Sequence, residues 1–275
     1  MLLTLLGTGC PSVDYKRFGP ANLVSSKKSN LLIDCGSGVT QRLKQADVST
    51  ASIDALILTH LHSDHVVDFY QLIISSWHSY RVKPWKIYGP QGTKKFLNKI
   101  MSAFKEERNL RISFESRSSS EAFKLDIVEF KDFGKIRIKD IMFEYFRVDH
   151  RPVKHAYGFN FYNNKKKLTI SGDTRPCENL MKYAQNCDVL LHEVFIEGEI
   201  KKVNRMRTRK TLHNVKSYHT TSSMVGKVAS LTRCKKLVLT HFVPTEFNEK
   251  KLKLLVKKDY GKNPIVGRDL LEIII

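Results

Sequence analysis

Seven consecutive residues, Thr59-His60-Leu61-His62-Ser63-Asp64-His65, constrain this chain more than any other feature. Three imidazoles and a carboxylate crowd into them, directly after the apolar run Ala55-Leu56-Ile57-Leu58. That run has the length and β-branched content of a buried strand. Alternate side chains of an extended segment project to one side, so His60 and His62 share a face. Asp64 and His65 then open the next helix onto the same space. A lone histidine is usually packed or solvated, but this crowding of ligand-type side chains predicts a metal site. One tetrahedral ion takes about four N, O or S ligands. Two ions sharing a carboxylate need more than the segment holds, so distant parts of the chain must supply the rest.

The surrounding pattern alternates strands and helices in two similar halves. Residues 2–6, 31–34, 55–59 and 85–88 read as strands, and helices are predicted at 39–45, 66–77 and from Gly89-Pro90 through Phe104. Three strands without a helix follow between 125 and 148, then a hairpin of 157–162 with 168–171 around Asn163-Asn164-Lys165. Buried strands at 189–191 and 237–239 follow predicted helices at 178–185 and 221–231, and a last helix covers 246–258. Two such halves suggest two face-to-face sheets with helices outside, an α/β arrangement forming one domain over 1–275.

Composition narrows the setting. The longest apolar runs fall well short of the roughly 20 residues a membrane helix needs, so no membrane partner is expected. The apolar start Met1–Leu6 lacks a basic flank and reads as a strand, not a signal peptide. Five scattered cysteines (10, 35, 177, 187 and 234) predict reduced thiols and a cytoplasmic protein. Lys and Arg number 47 against 27 acidic residues, a formal net charge of +20. Such a field attracts polyanions, nucleic acid included. Residues 196–218 concentrate part of it in Lys201, Lys202, Arg205, Arg207, Arg209 and Lys210.

His-x-His-x-Asp-His is the motif of the metallo-β-lactamase superfamily, which the sequence resembles from end to end. Leu6-Gly7-Thr8-Gly9, Leu32-Ile33-Asp34-Cys35-Gly36 and Ser171-Gly172-Asp173-Thr174 are similar to its other strand-end motifs. Gly38-Val39-Thr40-Gln41-Arg42-Leu43, Leu191-His192-Glu193-Val194, Tyr218-His219-Thr220-Thr221 and Leu239-Thr240-His241-Phe242 resemble the branch holding ribonuclease Z and the arylsulfatase-like hydrolases. The resemblance implies an αββα four-layer sandwich with two divalent ions at one edge. It implies ligands as well: His60, His62, His150 and the bridging Asp173 for one ion, and Asp64, His65, Asp173 and His241 for the other. Zn²⁺ suits this donor set, with Mn²⁺ and Fe²⁺ as alternatives. Asp34 is placed as a supporting carboxylate, and His78, His155 and His213 as surface or packing residues.

The same resemblance gives three residues catalytic roles. His219 would protonate the leaving group, Glu193 would orient His219, and Asp64 would steer the attacking water. These features belong to the phosphodiesterase side of the superfamily. The implied substrate is a phosphodiester, with RNA such as a tRNA precursor as one candidate and a homodimer as one assembly. Ribonuclease Z carries a long arm between the ligands matching His150 and Asp173, whereas only the hairpin 157–171 stands there in this chain. The basic stretch 196–218 is the candidate replacement as a phosphate-binding surface. An arylsulfatase-like or other small-ester metallohydrolase is the alternative, and a nucleic-acid-binding module without catalysis the third reading.

Overall fold

A computed structural model describes residues 1–200 and 208–275. The strands in chain order are β1 (Leu2–Gly7), β2 (Ala21–Ser25), β3 (Asn30–Ile33), β4 (Ala55–Ile57), β5 (Trp85–Gly89), β6 (Leu125–Glu129) and β7 (Phe133–Ile138). They continue as β8 (Ile141–Arg147), β9 (Tyr157–Asn163), β10 (Lys166–Ile170), β11 (Val189–Phe195), β12 (Lys236–Val243), β13 (Ile265–Val266) and β14 (Glu272–Ile274). Among the described residues they form two seven-stranded sheets, ordered β14-β1-β2-β3-β4-β5-β6 and β13-β12-β11-β10-β9-β8-β7. Each sheet is antiparallel at one side and parallel at the other, with β3 to β6 and β10 to β13 making the parallel parts.

The helices are α1 (Val39–Gln45), α2 (Ser63–Val66), α3 (Phe69–His78), α4 (Thr93–Ala103), α5 (Lys105–Glu115), α6 (Glu178–Tyr183), α7 (Arg209–Ser217), α8 (Val225–Leu231) and α9 (Glu249–Tyr260). Between the sheets lies an apolar layer in which Ile33, Ile57, Phe143, Phe159, Phe161 and Leu191 are fully buried. Each such side chain contributes about 1.5–3 kcal/mol of transfer free energy. A second layer packs Val39, Phe69, Leu72 and Leu97 of α1, α3 and α4 on the first sheet. A third packs Leu180, Val225, Leu252 and Val256 of α6, α8 and α9 on the second. The result is the αββα four-layer sandwich that the family resemblance implies.

Two local expectations change. The helix predicted over 66–77 is split into α2 and α3, because the loop after β3 docks at the break. There the Asp68 backbone N–H donates to the Cys35 carbonyl at 3.1 Å, and the Asp68 carboxylate accepts from the Gly38 N–H at 2.6 Å. The stretch 196–218 contains α7, capped by the Thr208 hydroxyl, which accepts from the Thr211 N–H. Lys201, Lys202, Arg205 and Arg207 lie outside the described residues; Arg209 and Lys210 are exposed in the first turn of α7.

Candidate metal centre

In open α/β sheets functional groups collect beyond the carboxyl ends of parallel strands, and the site follows that rule. Asp34 comes just after β3 and the segment His60–His65 after β4, while Asp173 follows β10. His150 arrives from the antiparallel side, beyond β8. The turn that presents Asp173 depends on Gly172, whose φ is +59° and whose Cβ position would meet the Tyr157 carbonyl oxygen at 2.4 Å. Only glycine takes that turn without strain.

His241 corrects a sequence expectation, since the strand predicted at 237–239 stops short of it. It lies inside β12, at a bulge. Glu193 pairs with Thr240 and Val194 with Phe242, which leaves His241 as the extra residue, at φ 46°. A bulge residue escapes the strict alternation of side chains, so His241 can turn into the site while its neighbours stay in register.

The carboxylate of Asp173 is the hub. Its Oδ2 lies 3.8 Å from His60 Nε2, 3.4 Å from His65 Nε2, 3.9 Å from His150 Nε2 and 3.2 Å from His241 Nε2. Asp64 Oδ2 is 3.3 Å from His241 Nε2 and 3.6 Å from His65 Nε2. His62 turns its Nδ1 to within 3.3 Å of His150 Nε2. The ligand-type atoms of His60, His62 and His150 lie within 4.8 Å of one another, as do those of Asp64, His65 and His241. His60 Nε2 and His65 Nε2 are buried and have no hydrogen-bond partner. Buried polar atoms are almost always satisfied, and a cation is the partner that converging imidazole nitrogens and carboxylates call for. The residues present therefore fit divalent metal.

A shell of hydrogen bonds fixes the rings. His65 Nδ1 is 2.7 Å from Asp34 Oδ2, and His150 Nδ1 donates to the Tyr218 carbonyl at 2.9 Å. Thr59 Oγ1 lies 3.0 Å from His60 Nδ1 and donates to Asp34 Oδ2 at 2.8 Å. Such partners set the orientation and basicity of ligand histidines. Burial works to raise the Asp173 carboxyl, but the His241 and His65 charges outweigh it and hold it well below the usual range. Burial likewise pushes Asp64 up, and its hydrogen bond from His241 brings it below the ordinary value.

Beside this cluster Glu193, 1% exposed, ends three hydrogen bonds on one oxygen. Glu193 Oε1 accepts from the Thr174 N–H, the Thr220 N–H and His219 Nδ1, each at 3.0 Å. Burial alone would lower the His219 pKa; the Glu193 charge and hydrogen bond, with Asp173 behind them, reverse this and leave it raised. Over the metal cluster lies a cavity of about 220 Å³ lined by His62, Asp64, Asp173, His219 and His241 on one side and Ile200, Leu212, Val215 and Tyr218 on the other. A larger groove, about 610 Å³, runs between α1 and α3, away from this chemistry; its only charged lining residues are Lys44 and Asp47.

Every site residue singled out in the sequence stands in this one cluster. Asp34 touches it through His65, while His78 and His213 are exposed on the surface and His155 is half-buried. Sequence reading missed the roof residues Leu212 and Val215 and the hydrogen-bond hub Thr59. Thr59 borders the metal motif, and that adjacency was its one signal.

Fold and site together define a metallo-β-lactamase-fold metallohydrolase. The family model described as "Anti-Pycsar protein Apyc1" matches residues 1–218. A curated ribonuclease Z of Mycolicibacterium gilvum is 32% identical over 246 residues, covering 88% of this chain and 84% of that one. The metallo-β-lactamase fold protein YhfI of Bacillus subtilis superposes with a TM-score of 0.76 at 17% identity, over 99% of this chain and 98% of the other. The short form of human tRNase Z gives 0.72 at 22% identity, over 100% and 99%. The chain belongs to the Apyc1 family, within the ribonuclease Z branch of the metallo-β-lactamase-fold hydrolases. It is a metal-dependent hydrolase of ester bonds.

Proposed function

We propose that this chain is a single-domain binuclear phosphodiesterase, with Zn²⁺ as its resident metal. His60, His62 and His150 would hold one ion and Asp64, His65 and His241 the other, with Asp173 available to both. The bound pair supplies Lewis-acid polarisation of the phosphoryl oxygen and lowers the pKa of water. The chain's own groups do the rest. Asp64, kept ionised, accepts a hydrogen bond from the attacking water and aims it at phosphorus. His219, whose protonated form Glu193 favours, gives a proton to the departing oxygen and then holds its remaining proton on Nδ1 against Glu193 Oε1.

The observation that carries this reading is His219, backed by the buried Glu193 and facing the same cavity as Asp64, Asp173 and His241. A site needing only a metal-activated water has no use for a proton donor across the cavity; an alkoxide leaving group does. The names of the curated relatives point to RNA as the phosphodiester. Two features favour a smaller one. β9 and β10 join through the short turn Asn164-Lys165, so no arm extends between His150 and Asp173. The cavity is roofed by apolar side chains of α7. The family name, Anti-Pycsar, offers a biological setting: action against the system it names. A cytoplasmic location accords with the free thiols of all five cysteines, and no described helix is long and apolar enough to cross a membrane.

The test is hydrolysis of bis-p-nitrophenyl phosphate, p-nitrophenyl sulfate and a tRNA precursor by metal-loaded protein, beside Asp173→Ala. Phosphodiester cleavage lost in the variant supports the proposal. Preferential sulfate cleavage would replace it with the arylsulfatase-like alternative, and cleavage of the precursor would decide for RNA.

A further inference from the structure

Three of the buried ligand histidines hand their second ring nitrogen to a direct partner: His60 to Thr59, His65 to Asp34 and His150 to Tyr218. His241 does not. Its Nε2 faces Asp64 and Asp173, and its Nδ1 is buried with no hydrogen-bond partner. A metal-bound imidazole keeps a proton on its other nitrogen, and a buried N–H without an acceptor costs about 1–3 kcal/mol. Something must therefore accept from His241 Nδ1.

Behind the metal cluster, between the two sheets, is a cavity of about 20 Å³. His241, Glu193 and Asn22 all line it. Each of the three carries a buried atom without a partner: His241 Nδ1, Glu193 Oε2 and Asn22 Oδ1. The other unpartnered atom in the lining, His65 Nε2, is turned to the metal ligands Asp64 and Asp173. A water needs roughly 10–15 Å³ of such space and about three hydrogen bonds. This cavity offers both, with one donor and two acceptors. Asn22 comes from β2 of the first sheet, 6% exposed, while Glu193 and His241 belong to β11 and β12 of the second.

We propose that Asn22 is a positioning residue for His241, acting through one buried water. The water accepts from His241 Nδ1–H and donates to Asn22 Oδ1 and to Glu193 Oε2. It thereby fixes the ring of a ligand that sits on a strand bulge. It also uses the second oxygen of Glu193, so that one carboxylate serves both His219 and His241. The inference rests on the proposal that His241 binds metal.

Apoprotein is titrated with Co²⁺ and followed by its visible absorption, for wild type, Asn22→Leu and Asn22→Asp. Asn22→Leu is expected to weaken one of the two Co²⁺ ions about 10- to 100-fold, the usual range for loss of a supporting partner. Asn22→Asp, which keeps the acceptor, restores the affinity. Equal weakening in both variants, or wild-type affinity in Asn22→Leu, overturns the proposal. Wild type that binds fewer than two ions instead refutes the binuclear reading beneath it. A crystal structure of the metal-loaded wild type gives an independent reading should Asn22→Leu fail to fold. Density for a water within hydrogen-bond distance of His241 Nδ1, Asn22 Oδ1 and Glu193 Oε2 is expected, and its absence overturns the proposal.

Discussion

Replacing Glu193 by Gln removes a charge while keeping a shape. The amide oxygen can still accept from the Thr174 and Thr220 N–H groups that Glu193 Oε1 now serves. What disappears is the attraction between a carboxylate and the protonated His219, whose Nδ1 stands 3.0 Å away with both groups buried. With charge centres about 4 Å apart and an effective dielectric near 20, that attraction is worth about 4 kcal/mol. His219 has given up part of its proton in the transition state, so about 2–4 kcal/mol is felt there, or roughly 30- to 1000-fold in kcat. The sign of the pH effect is fixed too. Glu193 raises the His219 pKa against burial, so its loss lowers that pKa and moves the alkaline limb of kcat to lower pH. The assay compares two phosphodiesters with the same metal-loaded protein. One has a nucleoside leaving group, which needs a proton. The other releases p-nitrophenolate, which does not at neutral pH. The nucleoside ester should suffer the full loss and the p-nitrophenyl ester little. Equal losses on both, or a change below about threefold on the nucleoside ester, would refute the acid role of the pair.

Three further outcomes follow from the same geometry. Leu212 roofs the cavity from α7, so Leu212→Ser should raise KM for a nucleotide ester about 5- to 30-fold with kcat little changed; an unmoved KM in steady-state kinetics would remove α7 from the substrate site. Asp54, beside β4, joins the two sheets by accepting from Lys83 and from Lys139 at 2.9 Å each. Burial pushes its pKa up, and the two ammonium groups outweigh that and hold it below the ordinary value. A lowered folded pKa means stability present above the usual carboxylate range and lost as pH falls through the lowered value. Asp54→Asn should therefore cost about 1 kcal/mol at pH 7, since both lysines are half exposed. The difference should vanish in strong acid, and a gap in urea midpoint that persists there would contradict the argument. Phe143→Ala should cost about 3–5 kcal/mol in urea unfolding, because the ring is fully buried between the sheets and its cavity cannot collapse; a loss under about 1 kcal/mol would show that the sandwich can close over the gap.

How much of this was legible in the sequence depends on how local the information is. His60, His62, Asp64 and His65 are contiguous and follow an apolar strand, so their meeting needs only local geometry. His150, Asp173 and His241 come together through pairings far apart in the chain, and residue spacing says nothing about those; family resemblance supplied them. The bulge that aims His241 is a mismatch between two strands and exists only once β11 and β12 are paired. β2, β13 and β14 are not among the predicted strands: β13 and β14 are only two and three residues long, and in β2 Asn22 breaks the apolar run between Ala21 and Leu23. The helices missed, α5 and α7, bury no residue, so the periodic signal that marks a helix against a core is faint in both. Asn22 is one of two polar residues in β2, with Ser25, and its proposed partners lie on the other sheet.

The measurement closest to the central claim is a titration of apoprotein with Zn²⁺ while hydrolysis of a phosphodiester is followed. Activity should climb to a plateau at two equivalents per chain and stay absent in Asp173→Ala, which removes the carboxylate lying within 3.9 Å of the Nε2 atoms of His60, His65, His150 and His241. A plateau at one equivalent, or no phosphodiester cleavage at any metal load, would contradict it.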